Sequence, residues 1–254
     1  MPTAWIREVP DSFVSAIVPE GGRAPDVPMA RRQHETYRRH LERAGHEVIT
    51  LPADEGYPDC VFIEDAAVLL GSLAVAARPG AEPRRGEVEP VVAALGGRFE
   101  LVRVEAPGTL DGGDVMALGD MVYVGRSKRT NDEGIAQMRK FAAGVGMTVQ
   151  AVPVSGVLHL KSAVLPVTED TVVVTPGTVD ESLLAGLRII AEAETERHRF
   201  SALPLGNGEV LVTADAAETA SRLDDLGIAL TPIDASEIQA ADGGLTCMSI
   251  LARD

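Results

Sequence analysis

Short apolar runs alternate along the chain with longer stretches in which apolar positions recur every three or four residues. A period of two marks a half-buried strand, and a period near 3.6 marks an amphipathic helix. Read this way, the pattern predicts a strand around 13–17, a helix over 28–44 closed by Gly45, and a strand over 46–51. A hairpin follows over 60–77, turned at Gly71-Ser72, then a helix over 87–95 stopped by Gly96-Gly97 and an extended stretch over 99–105. The order returns with a hairpin over 115–124 turned at Gly119-Asp120, a helix over 131–143 that Asn131 can cap, and a strand over 147–153. Two further rounds are read from strands at 159–166 and 171–175 with a helix over 180–191, and from a strand at 209–213, a helix at 215–226 and a strand at 228–233. Five hairpin–helix–strand units of roughly 45 to 50 residues suggest radial repetition of one α/β module. No linker or low-complexity segment interrupts them, so a single domain over 1–254 is expected.

Composition narrows the class without naming a function. At 254 residues, with 45% hydrophobic and 24% charged residues, the chain is ordinary for one globular domain. The net charge of −15 opposes nucleic-acid binding, which needs a basic face. No apolar run approaches the length of a membrane span, and the first ten residues hold no apolar leader core. Two cysteines, Cys60 and Cys247, could form one disulfide. Free thiols in a reduced, cytoplasmic setting are the simpler reading.

The chemistry gathers around Cys247 in Asp242-Gly-Gly-Leu-Thr-Cys-Met-Ser249. A free thiol is only slightly ionised at neutral pH, so a nucleophilic cysteine needs a proton-transfer partner and a carboxylate to orient that partner. His159 and the acidic turn Asp111-Gly-Gly-Asp114 supply both residue types. Taken singly, each has an ordinary structural explanation: a core cysteine, a hydrogen-bonded strand histidine, a glycine turn. Metal chemistry is not indicated. The position four after His34 is Arg38, which breaks a zincin spacing, and no Cys/His cluster has zinc spacing. No phosphate-binding glycine loop or Gly-x-Ser-x-Gly elbow is present, so no cofactor is expected.

Six segments in order carry a resemblance: Phe62-Ile-Glu-Asp65, Arg78-Pro-Gly-Ala-Glu-Pro-Arg-Arg-Gly86, Ala106-Pro-Gly-Thr-Leu-Asp-Gly-Gly-Asp114, Arg129-Thr-Asn131, Leu158-His-Leu-Lys161 and the Cys247 segment. Together they resemble the dimethylarginine dimethylaminohydrolases, a branch of the guanidine-modifying superfamily. The resemblance implies a five-module pseudo-symmetric α/β propeller with the active site in its central channel. It implies Cys247 as nucleophile, His159 as acid and base, and Asp111 as the acid that bonds both His159 and substrate. Asp65 with Asp111 would receive the guanidinium, with Glu64 orienting its neighbour or the loop. Arg84 and Arg129 would take the α-carboxylate, Asp59 the α-amino group, and backbone carbonyls near Ile17 and Ala241 would help. Asp114 is read as structural, and Arg85 and Cys60 have no assigned role.

The activity so implied is hydrolysis of Nω-methylated arginine to citrulline and an amine through a cysteine thiouronium. Arginine deiminase, or another guanidine hydrolase, is the rival within the superfamily. Deiminases typically carry Arg-Asp where this chain has Glu64-Asp65, and His-x-Asp where it has His159-Leu-Lys161. A non-catalytic arginine-analogue-binding protein on the same fold is the alternative of another class, which the intact Cys247, His159 and Asp111 oppose. The implied partner is a small methylarginine, with neither nucleic acid nor membrane; a homodimer is left open.

Overall fold

The structure, a computed structural model, describes residues 2–19, 21–197 and 199–252. The chain forms two compact units, Met1–Ile63 with Arg199–Asp254, and Glu64–His198.

One module recurs through both units: an antiparallel strand pair, a connecting helical segment, then a third strand parallel to the second. In chain order, β1 (Thr3–Arg7) leads through helix α1 (Val27–Arg43) to β2 (Glu47–Leu51), which lies parallel to β1 with Trp5 opposite Ile49. Strands β3 (Ala67–Leu70) and β4 (Leu73–Ala76) pair antiparallel; helix α2 (Val88–Leu95) then brings β5 (Glu100–Arg103) parallel to β4. The pattern repeats as β6 (Val115–Leu118), β7 (Met121–Arg126), α3 (Asp132–Gly144) and β8 (Thr148–Pro153). It repeats again as β9 (Val164–Pro166), β10 (Thr171–Val174) and β11 (Arg188–Ala191), and as β12 (Ala202–Pro204), β13 (Glu209–Thr213), α4 (Ala217–Asp224) and β14 (Ala229–Ile233). After the short α5 (Ser236–Ala240), β15 (Ser249–Ala252) returns to β1, with Trp5 opposite Ile250. The last strand therefore completes the first module, and the five expected α/β modules are five three-stranded sheets.

Local chemistry explains the elements that were foreseen. Asp26 caps α1 by accepting the Met29 amide at 2.8 Å, and Gly45 ends it in a left-handed conformation. Tyr37 and Leu41, four residues apart, are fully buried on its inner face. Truncating such a leucine to alanine costs about 2–5 kcal/mol. Asn131 caps α3 as expected, accepting the Gly134 amide at 2.9 Å.

Three expectations are corrected. Residues 13–17 are not a strand; Asp11–Ser15 is a single 3-10 turn, and the first module is built on β1 instead. All five residues of β1 are buried, so it lacks the alternation by which a half-buried strand is recognised. The helix over 180–191 is a short 3-10 turn, Glu181–Leu184, followed by β11. Gly186, at a φ of 93°, breaks the turn, and Ile189-Ile190 favour the extended state. The hairpin of 60–77 starts only at Ala67, because Ile63–Ala66 is a 3-10 turn.

Candidate active site

The candidate residues are divided between the units: Ile17, Asp59, Ala241 and Cys247 in the first, and Glu64, Asp65, Arg84, Asp111, Arg129 and His159 in the second.

In the first unit, Cys247 lies in the 3-10 turn Thr246–Met248 that precedes β15, half-buried against the apolar core. The Gly244 amide points at its Sγ from 3.3 Å, and neither Cys247 nor Cys60 is in a disulfide. The turn is tightly seated: a side chain on Gly243 would overlap the ring of Phe62, and the Leu245 amide donates to Ser201 Oγ at 2.8 Å. Asp242 holds a positive φ of 59°, a strained conformation for a residue other than glycine. The Ile17 amide donates to Asp59 Oδ1 at 3.2 Å, so this unit brings Asp59 and Ile17 together. Ala241 is buried at the end of α5.

In the second unit, four loops converge on His159. Its Nε2 lies 3.1 Å from Asp111 Oδ2 and 4.0 Å from Asp65 Oδ1. Asp111 is fixed on both oxygens: Oδ1 accepts the Gly80 amide at 2.7 Å, and Oδ2 is also 3.4 Å from Arg129 Nη1. Asp65 Oδ1 accepts the Gly113 amide at 2.9 Å, and its Oδ2 accepts Arg84 Nη1 at 2.5 Å. The glycines of the Asp-Gly-Gly-Asp turn are required by this crowding. A Cβ on Gly113 would stand 2.7 Å from His159 Nδ1 and 2.8 Å from Asp65 Oδ1.

Two further links hold the loops in register. Asp114 Oδ1 accepts the Leu160 amide at 2.8 Å, just after His159, and Oδ2 accepts Ser127 Oγ at 2.6 Å. That hydroxyl in turn receives the Arg129 amide at 2.9 Å, so Asp114 joins the His159 loop to the Arg129 loop. Glu64 pairs with Lys161, which ties the Asp65 turn to the His159 turn.

Charge follows from this arrangement. Burial alone would lower the pKa of His159, but the charge of Asp65 and the bond to Asp111 outweigh it and raise the value from 6.5 to about 9. Burial would raise Asp65; the positive charges of His159 and Arg84 prevail and hold it below the ordinary carboxylate range. Burial does dominate at Asp114, which is raised. The site therefore contains an imidazolium at neutral pH, flanked by ionised Asp65. The donor atoms of Asp65, Asp111 and His159 lie within 4.8 Å of one another, a spacing that could hold a metal ion. Such an ion would have to displace the imidazolium proton and compete with the guanidinium on Asp65.

Two contributors escaped the sequence reading. Glu87 receives Arg84 Nε at 3.0 Å and Nη2 at 2.8 Å, both side chains being buried. The three-residue spacing of Arg84 and Glu87 on one helical turn was the available signal. Lys161 lay inside a recognised motif without a role, and its charge opposite to Glu64 was the clue.

Comparison with known proteins is consistent with this geometry. A sequence model of the family described as "N,N dimethylarginine dimethylhydrolase, eukaryotic" matches residues 26–199. The chain is 39% identical over 232 residues to an N(G),N(G)-dimethylarginine dimethylaminohydrolase of Streptomyces coelicolor, covering 90% of this chain and 88% of that one. It is 34% identical over 229 residues to the enzyme of that name from Pseudomonas aeruginosa, covering 89% of each. Among solved structures, a dimethylarginine dimethylaminohydrolase with a histidine-to-glycine substitution, in an adduct with S-methyl-L-thiocitrulline, superposes with a TM-score of 0.94 at 31% identity over 99% of this chain and 100% of that one. A cysteine-to-serine mutant of the Pseudomonas aeruginosa protein complexed with citrulline gives the same TM-score of 0.94 at 31% identity, over 98% of each chain.

Proposed function

The chain belongs to the dimethylarginine dimethylaminohydrolase family, and from that premise we propose that it hydrolyses Nω-methylated arginine to citrulline and methylamine or dimethylamine. The observation that carries the reading is His159, buried and held protonated by Asp111 and Asp65. An imidazolium is what a departing amine requires, because an amide-like nitrogen leaves only when protonated.

In this reading Cys247 acts with His159 on one substrate. The Cys247 thiolate attacks the guanidinium carbon, forming a C–S bond and a neutral tetrahedral species. His159 gives its proton to the methylated nitrogen, the C–N bond breaks, and the amine departs, leaving a cationic thiouronium on Cys247. Neutral His159 then takes a proton from water as its oxygen attacks the same carbon. The C–S bond breaks, the thiolate is restored, and citrulline leaves; the second water proton is released and ends on the amine, an ammonium ion in water. Covalent catalysis divides one difficult hydrolysis into two easier displacements. The capture of citrulline by a cysteine-to-serine relative supports a cysteine in this role.

Asp65 and Asp111 receive the substrate guanidinium, as paired carboxylates must if that charge is to be desolvated. Arg129 faces the α-carboxylate, and Asp59 with the carbonyls near Ile17 and Ala241 faces the α-amino group; Arg84, expected to share the α-carboxylate, is instead bonded to Asp65 and Glu87. The Glu64–Lys161 pair favours methylarginine over arginine as substrate, because the deiminase pattern has Arg and Asp at these two places. A cytoplasmic setting fits two cysteines that form no disulfide; among the described residues no helix is long and apolar enough to cross a membrane. The test is Cys247→Ser: citrulline production should vanish while the thermal transition stays within a few degrees. A folded variant that still turns over would remove Cys247 from the mechanism.

A further inference from the structure

The proposed function gives Asp65 to the substrate guanidinium, yet this carboxylate already holds a guanidinium of the protein's own. Arg84 Nη1 donates to Asp65 Oδ2 at 2.5 Å, and both side chains are less than a tenth exposed. A one-to-one Asp65–Arg84 pair carries no net charge. At a buried position such a pair has little attraction for an incoming cation.

Glu87 changes the count. It lies one helical turn after Arg84, is 4% exposed, and accepts both Arg84 Nε and Arg84 Nη2 on its two oxygens. The fork fixes the plane of the guanidinium, which aims Nη1 at Asp65. It also offsets the positive charge of Arg84, so that the arginine does not cancel the charge that Asp65 shares with Asp111 opposite the His159 imidazolium. Asp65 is tied from its other side by the Gly113 amide, so its place beside His159 depends on bonds from both directions.

We propose that Glu87 is a positioning residue for the reaction: it locks Arg84 against Asp65 and supplies the negative charge that keeps Asp65 attractive to a cationic substrate. This rests on the reading of Asp65 as the guanidinium receptor. It leads to discrimination by charge at constant shape. Arginine and citrulline share one skeleton, and only arginine is cationic at its far end. A residue that merely props the fold would serve both ligands equally.

The experiment is calorimetric titration of the full chain with arginine and with citrulline, for wild type, Glu87→Gln and Glu87→Asp. Glu87→Gln keeps the length and an acceptor oxygen but removes the charge; it should weaken arginine by about tenfold or more and citrulline by no more than about twofold. Glu87→Asp keeps the charge and should retain the preference for arginine, even if both ligands bind less tightly. Equal weakening of both ligands by Glu87→Gln, or unchanged arginine affinity, overturns the proposal. Should Glu87→Gln not fold, Glu87→Asp decides: a kept preference supports the proposal and a lost one overturns it. Citrulline production from methylarginine by the wild type is read separately, so a failure of the proposed activity cannot be mistaken for a failure of this one.

Discussion

His159 and Asp111 form a buried pair, with Nε2 and Oδ2 3.1 Å apart and the two side chains 7% and 0% exposed. Two consequences follow, one for stability and one for turnover. In the unfolded chain His159 titrates near 6.5, and in the folded chain near 9. Its stabilising contribution is therefore complete below pH 6.5 and is lost as pH rises through about 9. The shift corresponds to roughly 3 kcal/mol. Urea unfolding from pH 6 to 10 should show the midpoint falling across that window in wild type and a smaller fall in His159→Gly. An equal fall in both proteins would assign the loss to other groups.

In the proposed reaction the same pair sets the alkaline limb of activity. Loss of the His159 proton there removes the acid that the leaving amine needs, so kcat/KM, which follows the free enzyme, should decline near pH 9. Asp111→Asn leaves the shape and removes the charge. Activity should drop by about 10²-fold or more, and the alkaline limb should move to lower pH. An unmoved limb would mean that Asp111 does not tune His159.

Much of this was legible in the sequence. Helices α1 and α3 declared themselves through apolar periodicity, the stop at Gly45 and the cap at Asn131, and the hairpins at Gly71 and Gly119 through their turn residues. Strand β1 was not, because a strand buried on both faces shows no alternation, and β11 was hidden behind an apolar pattern that also fits a helix. The same limit applies to the site. His159, Asp111 and Asp65 stood in recognisable motifs, whereas Lys161 acts through Glu64, 97 residues away, a pairing decided by the fold, and Glu87 offered only its three-residue spacing from Arg84.

Carboxylate recognition is tested at Arg129, whose side chain is 16% exposed beside Asp111. Arg129→Ala should raise KM for methylarginine by about ten- to a hundredfold, since a charge-assisted bond contributes roughly 1.5–3 kcal/mol. Because Arg129 also borders Asp111, the control is agmatine, which has no α-carboxylate and should be a poor substrate of the wild type. Agmatine turned over as fast as methylarginine would rule out an α-carboxylate contact.

Thiol activation is a further expectation of the proposed reaction. Asp65 and Asp111 already compensate the imidazolium of His159, and no Lys or Arg lies within several residues before Cys247. The free enzyme should therefore hold a largely neutral thiol, and the cationic substrate should favour the thiolate on arrival. Iodoacetamide labelling of Cys247 should be slow at pH 7 and accelerate toward the ordinary thiol pKa of about 8.5. Labelling that is fast and independent of pH from 6 to 9 would point to a standing thiolate.

The most direct measurement is citrulline release from arginine, monomethylarginine, asymmetric dimethylarginine and agmatine in parallel, with the amine product identified. Methylated arginines should yield citrulline and methylamine or dimethylamine, while arginine and agmatine react far more slowly. Faster release from arginine, with ammonia as the second product, would make the chain a deiminase. No release from any of the four would contradict catalysis itself.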